Sequence, residues 1–197
     1  MVKQLFLLLS FYLLVTTASA QTAESVYDDY LNFNLARLQG ENEKLPPLIA
    51  RLLPNADKLP DKARTNFYYA IGKIYEDRRD YKNAEVYYLK VAQLQPDYYV
   101  VQRGLGYIYF DRLKDIEEKL NAETKDMYHN QQLFEQYKTA AKKALIYLEK
   151  AEACDPDPNT RTIINLLYKN IKDTKGLNSL DERLKLLRNH CVDLLPE

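Results

Sequence analysis

The sequence predicts an all-α fold, a helical solenoid of about four antiparallel helix pairs with one extended hairpin. Three observations predict it. Leu105, Gly106 and Tyr109 follow Ile71, Gly72 and Tyr75 by 34 residues (105 − 71, 106 − 72, 109 − 75). Ala144, Leu148, Ala151 and Pro156 follow Ala84, Tyr88, Val91 and Pro96 by 60 (144 − 84, 148 − 88, 151 − 91, 156 − 96). Between these landmarks apolar residues recur at helical spacing, and Gly, Pro and Asp punctuate the segments. The two offsets differ by 26 residues (60 − 34), so the second copy carries an insertion of that length.

Each landmark has a physical role. Gly72 has no side chain, so a neighbouring helix can lie against its backbone, and Ala84 allows the same approach from the other side. Tyr75 and Tyr88 fill the wedge between the helices. Pro96 stops the second helix, because its ring clashes one turn back and it donates no N–H. The order Tyr68-x2-Ile71-Gly72-x2-Tyr75…Ala84-x3-Tyr88…Pro96 resembles the tetratricopeptide repeat, written W-x2-L-G-x2-Y…A-x3-F…P with a 34-residue period. Tyr stands where Trp and Phe are commonest. The resemblance covers about Thr65 to Pro158.

Residues 1–20 read as a secretory signal peptide: Lys3, an apolar run of 11 residues from Leu5 to Val15 (15 − 5 + 1), then Ala18-Ser19-Ala20 before Gln21. The run falls short of the roughly 20 residues that span a bilayer. The alternative is an uncleaved membrane anchor. No Cys lies near the cleavage site to carry a lipid. The mature chain is expected to begin at Gln21, to be periplasmic or secreted, and to keep no membrane span.

Residues 21–62 read as a degenerate repeat or N-terminal cap. A helix over 23–39 carries Val26, Tyr30, Phe33 and Arg37 with Leu31, Leu35 and Leu38, and Gly40 ends it. Pro46-Pro47 open a second helix with Leu48, Ile49, Leu52 and Leu53 on its apolar face, and Pro54 ends it. Residues 63–98 are the first repeat. Asp61 is the expected cap of its first helix, which runs to about Asp77, and Asp80 caps its partner, which runs to about Leu94.

Residues 99–158 are the second repeat, holding the inserted hairpin over about 111–138. No Pro or Gly interrupts the chain from Tyr107 to Asp155. It is expected to run as one helix to about Leu120, turn near Asn121 to Thr124, and return to about Ala153. About 13 inserted residues per arm project roughly 20 Å. Leu113, Ile116 and Leu120 are set to face Met127, Leu133 and Phe134, with Glu117, Glu118, Lys119, Lys125 and Asp126 solvated. Residues 159–197 are a capping pair. Its first helix carries Ile163, Ile164, Leu167 and Ile171, and a turn over Asp173 to Asn178 follows. The last helix, capped by Ser179 or Asp181, carries Leu184, Leu187, Val192 and Leu195.

Lys plus Arg is 28 and Asp plus Glu is 28, giving no net charge. That argues against a nucleic-acid binder, which carries a basic excess. Catalytic motifs are missing: no nucleophile elbow, no Gly-rich phosphate loop, no HExxH. No catalytic residue, metal or cofactor is expected. His190-Cys191 with Cys154 and Asp155 can be written as a metal site, but the spacing matches no common zinc pattern. Cys154 and Cys191 are a disulfide candidate, because an exported chain with an even Cys count permits one. The other reading is two separate buried thiols.

The family resemblance implies a non-enzymatic interaction module that binds a partner segment on its concave face, lined by the first helix of each pair. After the packing residues are set aside, Asn66, Tyr69, Lys73, Glu76 and Asp77 remain on one such helix. Val100, Arg103, Tyr107, Phe110 and Asp111 remain on the next. Aromatic and Arg side chains are enriched at binding hot spots, whereas the plain alternative makes these ordinary solvated residues. Tyr69 and Lys73 do not fit the Lys and Asn carboxylate clamp found in some members. The second functional reading is an assembly subunit of a cell-envelope complex that docks through the hairpin. A metal-dependent enzyme is the remote third.

Overall fold

The computed structural model describes residues 21–122 and 127–193. The signal segment, the hairpin turn with Lys125 and Asp126, and Leu195 lie outside the described residues. The chain divides into two compact units at Leu59 and Pro60, three residues before the boundary expected at 62.

In the first unit, α1 (Ala23–Leu38) starts at Thr22, whose hydroxyl oxygen accepts the Ser25 N–H at 3.2 Å. It ends at Gly40, where a φ of +72° lets the Glu41 N–H reach back to the Ala36 carbonyl at 2.9 Å. The helix α2 (Leu45–Leu52) carries two prolines in its first turn, where no N–H is missed. The α-helix stops at Leu52, ahead of Pro54, and the backbone then tightens into a 3₁₀ segment over Leu53–Lys58. Val26, Tyr30, Phe33 and Ala36 bury one face of α1, and Leu45, Leu48, Leu52 and Ala56 are buried beyond it. Leu31, Leu35 and Leu38 are instead exposed by 49, 52 and 76%. The run of apolar residues wraps α1 on two sides, and only one side meets this core. Arg51 donates two hydrogen bonds to Asp29, at 2.9 and 3.1 Å, and holds that carboxyl below its ordinary pKa.

In the second unit the helices are α3 (Asp61–Asp77), α4 (Tyr81–Leu94), α5 (Tyr99–Ala122), α6 (Met127–Cys154), α7 (Pro158–Asn170), α8 (Thr174–Asn178) and α9 (Leu180–Leu187). No strand occurs among the described residues, only an isolated bridge between Tyr98 and Val192. Each helix from α3 to α7 packs on the next, and α6 also packs on α9. Asp80, Asp157 and Asp173 cap α4, α7 and α8 through the N–H groups of Asn83, Thr160 and Gly176. Asp61 does not cap α3. Pro60 holds the cap position, and Asp61 sits in the first turn, where it accepts from Arg64 at 2.5 Å. The expected turn over Asp173 to Asn178 is the short helix α8, because Asp173 supplies its cap. The last helix stops at Leu187, so Val192 lies in extended backbone and its N–H reaches the Asp97 carbonyl at 2.8 Å. Ser179 holds the α9 cap position, but its hydroxyl donates back to the Lys175 carbonyl and makes no capping bond, and Asp181 pairs instead with Arg161.

Two glycines receive side chains from the following helix. A Cβ on Gly72 would lie 2.5 Å from the Tyr88 ring, and a Cβ on Gly106 would lie 2.5 Å from Leu148 Cδ2 and 3.2 Å from its backbone nitrogen. Gly104 closes the other side of the Tyr88 ring, at 2.9 Å by the same measure. Ala84, Tyr88 and Val91 are buried, and so are Ala144, Leu148 and Ala151 at the 60-residue offset. Tyr75 is only half-buried and stacks on Tyr87 at 5.7 Å, so Tyr88 fills the wedge without it.

The hairpin α5–α6 is joined to the core at its base. Leu113, Leu133 and Tyr137 are buried, and Ile116 and Leu120 pack against the same cluster. Glu117 is not solvated as expected. It is half-buried and accepts the Tyr137 hydroxyl at 2.9 Å, while Asn170 of α7 donates to the same hydroxyl at 3.0 Å. Burial pushes the Tyr137 phenol up to about 12.

Candidate binding cleft

The 34-residue offset places the middle of α3 and the first half of α5 on one cleft. Tyr69, Lys73 and Glu76 line it from α3, and Val100, Arg103 and Tyr107 line it from α5. Tyr88, Tyr99, Gly104 and Asp155 complete the lining around a volume of about 300 Å³. Tyr88 is a landmark of the repeat, whereas Tyr99, Gly104 and Asp155 carry no motif of their own. Asp155 belongs to the Asp155-Pro156-Asp157-Pro158 stretch, which reads only as a helix breaker, and Gly104 matches no landmark of the repeat.

The cleft is rich in phenol rings. Tyr69 stacks on Tyr88 at 6.3 Å and meets the edge of Tyr98 at 5.4 Å. The Tyr88 hydroxyl donates to Glu76 at 2.9 Å, and burial followed by the nearby Glu76 charge raises its pKa. The Arg103 guanidinium lies 5.6 Å from the centre of the Tyr99 ring.

The charged groups are already paired. Lys73 donates to Glu76 at 2.7 Å and to Asp77 at 2.9 Å, and these bonds hold the ammonium well above its ordinary pKa. Arg103 donates to the Asp155 carboxylate at 2.7 Å and also to the Asp155 carbonyl. The Tyr107 hydroxyl lies 2.8 Å from the Thr160 hydroxyl and donates to Asp157 at 3.3 Å. The Thr160 N–H and hydroxyl, then Tyr107, hold the Asp157 carboxyl below its usual range. Tyr69 and Tyr107 therefore pack partly against the core and do not stand free of it.

The other expected residues fall outside the lining. Asp77 reaches it only through Lys73. Asn66 is half-buried elsewhere on α3, and Phe110 packs against the core. Asp111 is exposed and accepts from Lys114 at 2.5 Å.

Below the cleft, Cys154 and Cys191 are joined by a disulfide with Cα atoms 5.5 Å apart. The bond links the last residue of α6 to the extended tail. Lys150 reinforces the junction by donating to Asp97 at 2.7 Å and to the His190 carbonyl. Both sulfurs are consumed, so neither is a thiolate ligand. Among the described residues no group of three or more His, Cys, Asp and Glu is placed to hold a metal. Nor is any described helix long and apolar enough to cross a membrane.

No protein-family model, curated protein or solved structure matches the chain.

Proposed function

We propose that this chain is a non-enzymatic protein-interaction module of the tetratricopeptide-repeat type, a short helical solenoid acting in an exported, periplasmic compartment. Its cleft between α3 and α5 receives an extended segment of a partner protein. The observation that carries the reading is the convergence of Tyr69, Lys73 and Glu76 with Val100, Arg103 and Tyr107 on one aromatic cleft. Rings held by neighbours offer large contact area at low entropic cost. The glycine seats at the 34-residue offset support the repeat assignment, and the Cys154–Cys191 bridge suits an oxidising compartment.

Position-resolved photo-crosslinking tests it. A photoreactive residue at Val100 is expected to capture a discrete partner from an envelope fraction, and the same residue at Ile146, 68% exposed, is not. Capture from Gln132 on the hairpin with none from Val100 would instead favour docking of an assembly subunit through the hairpin.

A further inference from the structure

We propose that the cleft recognises a cationic segment, one presenting Lys or Arg side chains, and that an acidic segment is refused. The inference rests on the reading of this cleft as the binding site. Arg103 is committed to Asp155 through both the side chain and the backbone carbonyl of that residue. Lys73 is held between Glu76 and Asp77. Both cations already make charge-assisted bonds, the stronger kind, so an incoming anion has to compete with these carboxylates for the N–H donors left over.

The carboxylates outnumber these two cations. Besides Glu76, Asp77 and Asp155, Asp157 accepts from Tyr107 at the same cleft. Counting the lining and the groups bonded to it, four carboxylates stand against two cations, a local excess of two negative charges (4 − 2) in a chain with no net charge. The rings add to this field, because a phenol face attracts a cation within about 6 Å. Arg103 over Tyr99 already shows that pairing at the site. A volume of about 300 Å³ is at the low end of ligand pockets. It suits one long side chain and its flanking backbone.

Fluorescence anisotropy with the mature full chain decides it. The probe is a nonapeptide of alternating lysine and alanine with a central tyrosine and a neutral dye. The control has glutamate for every lysine. The lysine probe is expected to bind at least about tenfold more tightly, and less tightly as salt is raised, since complementary charge is screened. Asp77→Lys should weaken the lysine probe by about tenfold or more, and Lys73→Gln should tighten it. Asp77 is exposed, so a thermal melt of that variant serves as the folding check. Equal or tighter binding of the glutamate probe, or no binding of either, overturns the inference. A Val100→Arg variant separates the two levels. If the glutamate probe binds and this variant abolishes it, the cleft stands and the cationic preference falls. If binding of either probe ignores the variant, the cleft reading falls as well.

Discussion

Gly72 with Tyr88 and Gly106 with Leu148 make the same kind of seat across very different lengths of chain. Tyr88 follows Gly72 by 16 residues (88 − 72), whereas Leu148 follows Gly106 by 42 (148 − 106). The excess is the 26 inserted residues (42 − 16). In each case the next helix brings a buried side chain onto a bare backbone. The insertion therefore lengthens both helices around the second seat without moving it. The seats differ in what closes them. Tyr88 is clamped by glycines on both sides and tied by its hydroxyl to Glu76. Leu148 has only dispersion contacts, and its helix is fastened further along by Lys150 and the disulfide.

That contrast can be broken most severely at the side chains themselves. Tyr88→Ala should cost roughly 3–5 kcal/mol and Leu148→Ala roughly 2–5 kcal/mol, through lost burial and a cavity. Chemical denaturation measures both. A loss under about 1 kcal/mol at either would mean that side chain does not hold its seat. The disulfide sharpens the difference next. Reduction should cost roughly 2–4 kcal/mol. It should raise hydrogen exchange at Val192, whose N–H pairs with Asp97, while leaving the amides around Gly72 protected. Uniform loss of protection would erase the distinction.

Smaller effects probe the edges. Tyr137→Phe removes the hydroxyl shared with Glu117 and Asn170. It should cost about 0.5–1.5 kcal/mol. An unchanged melt would make the hairpin base independent of α7. Arg79 sits in the turn between α3 and α4 with φ of 60°. Arg79→Gly should stabilise by a few tenths to about 1 kcal/mol, because only glycine adopts that conformation at little cost. A lower melting temperature would contradict that account of the turn.

These features were not equally legible in the sequence. The helices of the second unit and both glycine positions could be read because periodicity and a bare backbone leave marks in one dimension. The exposure of Leu31, Leu35 and Leu38 could not be read, because apolar spacing identifies a face but not whether anything covers it. Arg79 and Lys172, at φ of 60° and 57°, carry no signal at all, since neither is glycine. In the cleft, the α3 and α5 residues were accessible from the 34-residue offset. Their ion-pair partners were not. Asp155 and Asp157 reach Arg103 and Tyr107 across about 50 residues of chain, a pairing set by the hairpin's return path. That is why the sequence leaves Arg103 among the residues open to a partner when it is already paired with Asp155.

The claim that both glycines are seats for the facing side chain is tested most directly by a double-mutant cycle of Gly106→Ala and Leu148→Ala. Gly106→Ala alone should cost roughly 1–3 kcal/mol, because the new methyl meets Leu148 in a filled space. With Leu148 shortened, the methyl should be accommodated, and the two changes should be coupled favourably by at least about 1 kcal/mol. Additive costs, within about 0.5 kcal/mol, would mean that Gly106 does not receive Leu148, and the equivalence of the two seats would fail.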